Sequence, residues 1–323
     1  MKAVVIKNES LFYEEVGEIY PKENEVKIKV AFAGVNRADI LQKQGSYPPP
    51  PGCPNWPGLE VSGEVVQVGE NATAFKVGDR VCALLGGGGY AQYVCVDENM
   101  VMHLPSEISL EQGAAIVEAC ATGYLNLFEV GEAKKGETLL FTGGNSGLAS
   151  LVIPMAKSIG MRVITTVRGE DKKKAVEYLG CDLVVDTKVE SLASALKEQE
   201  EKGSPVNLAI DCLGSQMMGD SLKYVARGCR WITIATLAGD NVTVDFKNVY
   251  VKNIRLIGST LRSQPVERKG KIIKQVESVV LPLVIKGDIV PKIDAIIDIE
   301  NANDAHALLE QSKAVGKIVL KVN

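Results

Sequence analysis

Between about Glu111 and Leu256 the chain alternates short apolar runs, typical of buried strands, with longer stretches of helical character. Parallel neighbouring strands need a crossover connection, which is usually a helix. The alternation therefore predicts an α/β architecture with a doubly wound parallel sheet. The runs, in order, are ETLLFT, SLVIPMAKSIG, MRVITTV, KKKAVEYLG, DLVVD, SLASALKEQEE, VNLAID, SLKYVARG, RWITIAT and NIRLIG.

The sequence has a different texture on either side of this region. From Met1 to about Leu110, β-type runs are separated by Gly and Pro, which predicts an all-β segment. After about Gly258 we expect a helix over KIIKQVESVVLPLVIKG, a second helix near residues 301–311 and a final strand KIVLKV. This tail is expected to close back onto the first segment. The predicted domains are 1–118 with 259–323, and 119–258.

Composition excludes several classes of protein. The 46% hydrophobic and 24% charged residues are typical of a globular protein, and no apolar run is long enough to span a membrane. The net charge of −4 argues against a nucleic-acid or anionic-membrane partner. Met1 leads directly into KAVVI without the pattern of a signal peptide, so we expect a cytoplasmic protein.

The potential metal ligands are few. The chain has seven scattered cysteines, no C-x-x-C pair, and two histidines, His103 and His306. Zinc sites are built mainly from Cys and His. We therefore expect reduced thiols and no metal site.

A glycine turn follows the apolar run Leu139–Thr142. The residues Gly143 to Ala149 read G-G-N-S-G-L-A and precede a helical pattern. Glycines at such a turn let backbone amides approach a pyrophosphate, which the helix N-terminus then attracts. Within an α/β alternation the motif predicts a dinucleotide site, with Gly144, Asn145, Ser146, Gly147 and Leu148 as cofactor contacts.

Two local features qualify this motif. Ser146 also suggests a hydrolase nucleophile on a strand-to-helix elbow, but the elbow pattern needs Gly where Leu148 stands. Pro154 is expected to kink the following helix or to break its second turn.

The second strand of the alternation bears on the choice of cofactor. NAD sites place an acidic residue near the end of this strand, where the sequence has Thr165 and Thr166. Arg168 and Lys172 follow and suit a 2′-phosphate dianion, so NADPH is the expected cofactor. Glu170 and Asp171 lie close by and keep NAD open as an alternative.

Three long segments resemble a known family. GVNRADILQKQGSYPPPPG, PGLEVSGEVVQVG and KVGDRVCALLGGGGYAQYV are similar to the zeta-crystallin-like quinone oxidoreductases of the medium-chain dehydrogenase/reductases, and STLRS and GKIVL extend the likeness toward the C-terminus. The resemblance implies a GroES-like β-rich catalytic domain interrupted by a Rossmann domain. Related zinc enzymes carry cysteine where this chain has Asn36 and histidine where it has Leu59, so the resemblance implies metal-free chemistry.

The resemblance also implies roles for individual residues. Tyr47, Asn36 and Thr122 correspond to groups that contact the nicotinamide and the substrate carbonyl, with Tyr47 as the hydrogen-bond or proton donor. The further cofactor-edge positions are Cys212, Leu213, Gly214, Leu261, Arg262 and Lys317. Two departures weaken 2′-phosphate recognition unless Arg168 compensates: Thr187 replaces a tyrosine, and Gly169 replaces a serine.

The sequence thus predicts a zinc-independent NADPH:quinone oxidoreductase that reduces quinones or related electron-poor conjugated carbonyls. Two alternatives stay open. One is a 2-enoyl-thioester or alkenal/one reductase, and the other is a non-enzymatic NADPH-binding structural or RNA-binding protein. A homodimer formed through an edge strand near residues 253–259 is also expected from the resemblance.

Overall fold

The computed structural model describes residues 1–322. The chain divides into two compact units. Unit 1 comprises Met1–Ala121 and the segment from Leu261 onward, and unit 2 comprises Thr122–Thr260.

Unit 2 is built on a six-stranded parallel sheet with the order β10-β9-β8-β11-β12-β13. This order reverses direction beside β8, as in doubly wound nucleotide-binding folds, and it confirms the predicted architecture. The strands are β8 (Thr138–Phe141), β9 (Arg162–Val167), β10 (Leu183–Asp186), β11 (Leu208–Asp211), β12 (Arg230–Thr233) and β13 (Arg255–Gly258).

The central strands form because their residues are apolar on both faces. Every residue of β8 and β11 is buried, as expected for strands of a parallel sheet covered by helices. Trp231 on β12 is 1% exposed, and its indole N–H donates to Asp211 Oδ2 at 3.1 Å. This hydrogen bond satisfies the polar atom of a side chain that otherwise fills the core.

The helices of unit 2 differ from the sequence expectations in two places. The predicted helix SLKYVARG is wrong: α6 ends at Ser221, a 3₁₀ turn covers Leu222–Tyr224, and residues 225–228 are not helical. The expected break at Pro154 is also wrong, because α3 continues through it to Ser158. The helices are α3 (Ala149–Ser158), α4 (Glu170–Ala175), α5 (Leu192–Glu201), α6 (Gln216–Ser221) and α7 (Phe246–Lys252).

Unit 1 contains a hairpin, β1 with β2, and a seven-stranded sheet with the order β14-β15-β3-β4-β5-β7, in which β6 also pairs with β3. β15 pairs antiparallel with β3, so the C-terminal tail shares this sheet with the first part of the chain. The strands are β1 (Lys2–Lys7), β2 (Ser10–Glu15), β3 (Glu25–Val35), β4 (Glu60–Val68), β5 (Arg80–Leu84), β6 (Tyr93–Asp97), β7 (Val101–His103), β14 (Ile293–Asp298) and β15 (Lys317–Lys321).

The first segment is not all β, contrary to the sequence expectation. A short helix begins after Asn36 because the Asp39 carboxylate accepts the Asn36 amide at 2.8 Å, as in a helix N-terminal cap. None of the helices in residues 1–322 has both the length and the apolar character to cross a membrane. The remaining helices are α1 (Arg37–Lys43), α2 (Leu110–Tyr124), which carries the unit boundary, α8 (Val266–Gln275), α9 (Leu281–Lys286) and α10 (Ala302–Glu310).

Candidate active site and cofactor-binding residues

The glycine turn lies between β8 and α3. Gly143 has φ +81°, a conformation that favours glycine, and the Gly144 amide donates to Thr166 O at 2.8 Å. A Cβ at Gly144 would lie 2.5 Å from Thr165 Oγ1, so this position accepts only glycine without a shift of β9. The turn therefore packs against the neighbouring strand as the dinucleotide motif requires.

The turn also presents backbone donors at the start of α3. Within residues 1–322, the amides of Gly147 and Leu148 have no hydrogen-bond acceptor. Ser146 Oγ accepts the Ala149 amide at 3.1 Å and so caps the first turn of the helix. Open amides at a helix N-terminus suit an anionic pyrophosphate, and the serine has a structural role in the motif.

The end of β9 agrees with the predicted run MRVITTV. The strand ends at Val167, and Thr165 and Thr166 lie near this end with both side chains buried. Thr165 Oγ1 donates to Phe141 O at 2.7 Å, and Thr166 Oγ1 accepts the Gly143 amide at 3.1 Å. The first side chain beyond the strand is Arg168, which is exposed.

Sequence reasoning missed Lys188, which follows β10. The carboxylate of Asp186 accepts the amides of Lys188 and Gly169, at 3.0 and 2.7 Å, and these hydrogen bonds lower its pKa. A Cβ at Gly169 would lie 3.4 Å from Lys188 Nζ, so this ammonium lies beside the loop that carries Arg168. The signal was available: strands β9 and β10 are neighbours, and a basic residue follows each one.

The loop after β11 meets the glycine turn. Asp211 Oδ1 accepts from the Thr142 hydroxyl at 2.8 Å and from the amides of Leu213 and Gly214 at 2.9 and 3.1 Å. Thr142 Oγ1 in turn accepts the Cys212 amide at 2.8 Å. The structure thus brings residues 212–214 together with the start of the glycine turn, at the carboxyl ends of two adjacent strands.

Thr122 begins unit 2 and is 9% exposed. Its carbonyl accepts the side-chain amide of Asn126 at 2.8 Å. The other two candidate catalytic residues, Asn36 and Tyr47, belong to unit 1, as do Leu261, Arg262 and Lys317.

The side-chain amide of Asn36 is held at both ends. Its Nδ2 donates to Glu60 Oε1 at 2.9 Å, and its Oδ1 accepts from Lys317 Nζ at 2.7 Å. Lys317 and Glu60 also form a direct ion pair at 2.5 Å, with side chains 4% and 0% exposed. Lys317 therefore lies in the interior of unit 1, where its ammonium fixes the orientation of Asn36.

Tyr47 lies on the loop after α1 and packs against Arg262. The guanidinium Cζ is 4.9 Å from the centroid of the tyrosine ring, and Nη1 donates to Tyr47 O at 3.1 Å. Burial raises the pKa of the Tyr47 hydroxyl, and Arg262 opposes this rise only in part. The hydroxyl consequently stays protonated at neutral pH and is able to donate.

Beneath α1 lies a buried polar chain that sequence reasoning did not identify. Tyr90 Oη lies 3.2 Å from Asp39 Oδ2 and 3.3 Å from His306 Nε2, and all three side chains are fully buried. Burial raises the pKa of Asp39 to about 6 and lowers that of His306 to about 3. The residues are too far apart in sequence for spacing to reveal the contact.

The positions that bind zinc in related enzymes carry no ligands of that type here. Leu59 is apolar and 4% exposed. The side-chain amide of Asn36 is hydrogen-bonded to Glu60 and Lys317. Across residues 1–322, no group of three or more His, Cys, Asp or Glu side chains is placed to hold a metal ion.

Two family models match the chain. Residues 22–106 match the alcohol dehydrogenase GroES-like domain, and residues 147–278 match the zinc-binding dehydrogenase family. Together they cover most of the β-rich first segment and most of the parallel sheet. The chain belongs to the medium-chain dehydrogenase/reductase superfamily, which confirms the resemblance found in the sequence.

Individual relatives are oxidoreductases. The chain is 29% identical over 303 residues to quinone oxidoreductase of Rattus norvegicus, covering 93% of this chain and 90% of the relative. It is 29% identical over 350 residues to acryloyl-coenzyme A reductase of Sulfurisphaera tokodaii, covering 99% and 100%. Mycobacterial Rv1454c complexed with NADPH superposes with a TM-score of 0.88 at 26% identity, covering 99% of both chains.

Proposed function

We propose that this chain is an NADPH-dependent, zinc-independent quinone oxidoreductase. The observation that carries the proposal is the glycine turn. Gly144 packs so closely against β9 that no side chain fits there. Further along the turn, the backbone amides of Gly147 and Leu148 have no hydrogen-bond acceptor within residues 1–322. Such a turn fits a pyrophosphate, and the chain resembles quinone oxidoreductases over most of its length.

The glycine turn, residues 212–214 and the basic residues after β9 and β10 are the groups that would hold NADPH in unit 2. Arg168, Lys172 and Lys188 would bind the 2′-phosphate, because a dianion favours charged donors. The sequence departs from the family at Thr187 and Gly169, which weakens the expected 2′-phosphate site. Lys188 would add a cation to this site and so compensate for both departures. The roles of Leu261, Arg262 and Lys317 at the cofactor edge stay predictions, as does that of Thr122.

Bound NADPH would supply a hydride to the substrate. Hydride transfer to a quinone or enone places negative charge on its carbonyl oxygen. The Tyr47 hydroxyl, which is protonated at neutral pH and whose pKa is raised further by burial, would donate a hydrogen bond or a proton to that oxygen. The Asn36 amide, fixed by Glu60 and Lys317, would orient the reacting groups without reorganisation.

We propose that no zinc takes part. In a zinc enzyme the metal would polarise the carbonyl. In this chain the positive charge beside Asn36 is the ammonium of Lys317, which is already paired with Glu60. A zinc ion at the same place would have to displace this buried pair and would find an amide and a leucine in place of its cysteine and histidine ligands.

A 2-enoyl-thioester reductase is the second candidate, and the likeness to acryloyl-coenzyme A reductase favours it. Steady-state kcat/KM for 1,4-naphthoquinone and for crotonyl-CoA, both with NADPH, separates the two. Quinone oxidoreductase activity predicts the larger value for naphthoquinone. A larger value for crotonyl-CoA would replace the proposal by the thioester reductase.

The cofactor assignment is tested with Arg168→Ala, for which Lys174→Ala is the matched control on the neighbouring helix. Lys174 is exposed and lies 4.0 Å from Glu170. We expect Arg168→Ala to raise the KM for NADPH by about tenfold with little change for NADH. An unchanged NADPH/NADH preference would show that the phosphate assignment is wrong.

We further propose a cytoplasmic homodimer. All seven cysteines are free thiols, which fits a reducing compartment. Strand β13 is an edge of the sheet, and Leu256 on it is 39% exposed, as expected for an edge that pairs with a second copy. Light scattering of wild type and Leu256→Lys tests this: wild type should have the mass of a dimer and the variant that of a monomer.

A further inference from the structure

Unit 1 contains a narrow pocket that is open to solvent and has room inside for about one water-sized group. Its apolar walls are formed by four leucines. These are Leu59, Leu84, Leu85 and Leu261. Its polar lining consists of two cations and one carboxylate, contributed by Arg262, Lys269 and Glu118. The lining therefore carries a net positive charge inside a mainly apolar wall.

Lys269 is the unusual member of this set. It lies on α8 and is 8% exposed, yet its ammonium makes no hydrogen bond or ion pair within the part of the chain that the structure describes. Burial lowers its pKa, the Cys53 thiol opposes this shift, and the Arg262 charge acts in the same direction as burial. Buried charges are normally paired, because an unpaired ammonium loses its hydration without compensation. The ammonium is not among the fully enclosed polar atoms, so a solute at the mouth of the pocket can reach it.

Arg262, the other cation of the pocket, is mainly committed to partners in unit 1. Its Nε donates to Gly86 O at 2.7 Å and its Nη2 to Gln42 Oε1 at 2.6 Å, in addition to the bond from Nη1 to Tyr47 O. These bonds commit the guanidinium to holding the loop of Tyr47. Within residues 1–322, Lys269 has all three of its donors free, whereas three of the five donors of Arg262 are in use.

The pocket adjoins the residues proposed for catalysis. Leu59 directly precedes Glu60, which holds Asn36, and Leu261 directly precedes Arg262, which holds Tyr47. The Glu118 amide also donates to Glu60 Oε2 at 3.0 Å. A substrate whose carbonyl lies at Tyr47 and Asn36 therefore has a cationic pocket close to its other end.

We propose that Lys269 and its pocket form a subsite for an acidic substituent of the substrate. This inference rests on the proposed function and names its substrate class: quinones or conjugated carbonyl compounds that carry a carboxylate or a similar anion. The ammonium of Lys269 pairs with the acid group at the mouth of the pocket, and the leucines border that group.

The kinetic test uses two substrates that differ by one charge, 1,4-naphthoquinone and 1,4-naphthoquinone-2-sulfonate. We compare wild type, Lys269→Met and Lys271→Met, since Lys271 is an exposed lysine of the same helix. Lys269→Met should lower kcat/KM for the sulfonate by about 10- to 100-fold, and that for the neutral quinone by less than about threefold. Lys271→Met should leave both values unchanged, and Lys269→Arg should restore most of the loss.

A binding measurement keeps this inference separate from the proposed function. Calorimetry with naphthalene-2-sulfonate needs no turnover, and its Kd should weaken at least about tenfold in Lys269→Met and not in Lys271→Met. If wild type reduces neither quinone but shows this pattern of binding, the proposed function is wrong and the anion site stands. Equal losses for both quinones, or equal Kd values in wild type and Lys269→Met, would overturn the anion site.

Discussion

The guanidinium of Arg262 stacks on the ring of Tyr47 and hydrogen-bonds to the carbonyl of the same residue. One side chain thus fixes both the ring and the backbone of the proposed donor. The contact joins two segments separated by more than 200 residues. Arg262 is therefore a positioning residue, which acts on the substrate through Tyr47.

This contact predicts how substitutions at the two positions combine. Tyr47→Phe should lower kcat about 100-fold, because it removes the hydroxyl that donates to the developing charge. Arg262→Met should lower kcat roughly 10- to 100-fold, because the ring is no longer held in place. In the double variant the two losses should not add, since Arg262 has nothing left to position. Steady-state kcat with naphthoquinone measures all three, and additive losses would show that Arg262 acts independently of Tyr47.

The glycine turn makes a second prediction. Gly144→Ala places a methyl group 2.5 Å from Thr165 Oγ1, so either the turn or β9 must shift. We expect a loss of about 1 to 3 kcal/mol in the free energy of unfolding and a weaker Kd for NADPH. Thr165→Ala in the same chain makes room for the methyl group and should restore part of the affinity, measured by fluorescence titration. Thr165→Ala alone is the control, and unaltered NADPH binding in Gly144→Ala would contradict the packing.

The sequence predicts the parallel sheet well because its signal is local. Strands such as β8 and β11 are short apolar runs, and each is bounded by turn residues or a helical pattern. The failures have physical causes as well. The pattern SLKYVARG is apolar at helical spacing, but the chain must leave the helix after Ser221 to enter β12. Helix α1 was missed because its N-terminus depends on a hydrogen bond from Asn36 to Asp39 within a segment of β texture.

The residues of the candidate site also fall into two groups, those whose role the sequence shows and those whose role only the fold shows. The glycine turn and Arg168 are visible in sequence, since their chemistry depends on residues near one another in the chain. The roles of Lys317 and Lys269 are not visible in the sequence, because they depend on burial and on neighbouring residues that only the fold brings together. Lys317 was expected at the cofactor edge, and the structure places its ammonium on Asn36 and Glu60.

The buried pair of Lys317 and Glu60 predicts a large effect on stability. Lys317→Met leaves the Glu60 carboxylate buried without its cation, and we expect a loss of about 3 to 5 kcal/mol in the free energy of unfolding. Lys321→Met, at an exposed position of the same strand, is the control and should change stability by no more than about 0.5 kcal/mol. Adding Glu60→Gln to Lys317→Met removes the stranded charge and should recover part of the loss in urea denaturation. A Lys317→Met chain as stable as the control would exclude a structural role for the pair.

The chain of Asp39, Tyr90 and His306 predicts two opposing effects of pH on stability. Burial raises the pKa of Asp39 from 3.8 to about 6, so its stabilising contribution is complete below pH 3.8 and is lost as the pH rises through 6. The pKa of His306 falls from 6.5 to about 3, so its contribution is present above pH 6.5 and is lost as the pH falls through 3. Between these limits the two slopes have opposite signs and partly cancel in the wild type.

Single substitutions should uncover each slope. In His306→Gln, which keeps a polar partner for Tyr90, the free energy of unfolding should fall by about 2 kcal/mol between pH 4 and pH 7, since of these two groups only Asp39 remains to titrate. In Asp39→Asn the slope should reverse, and stability should rise with pH up to about 6.5. Urea denaturation at pH 4, 5, 6 and 7 measures both curves. Parallel curves for the two variants would show that these buried groups do not titrate with folding, because each variant retains only one of them.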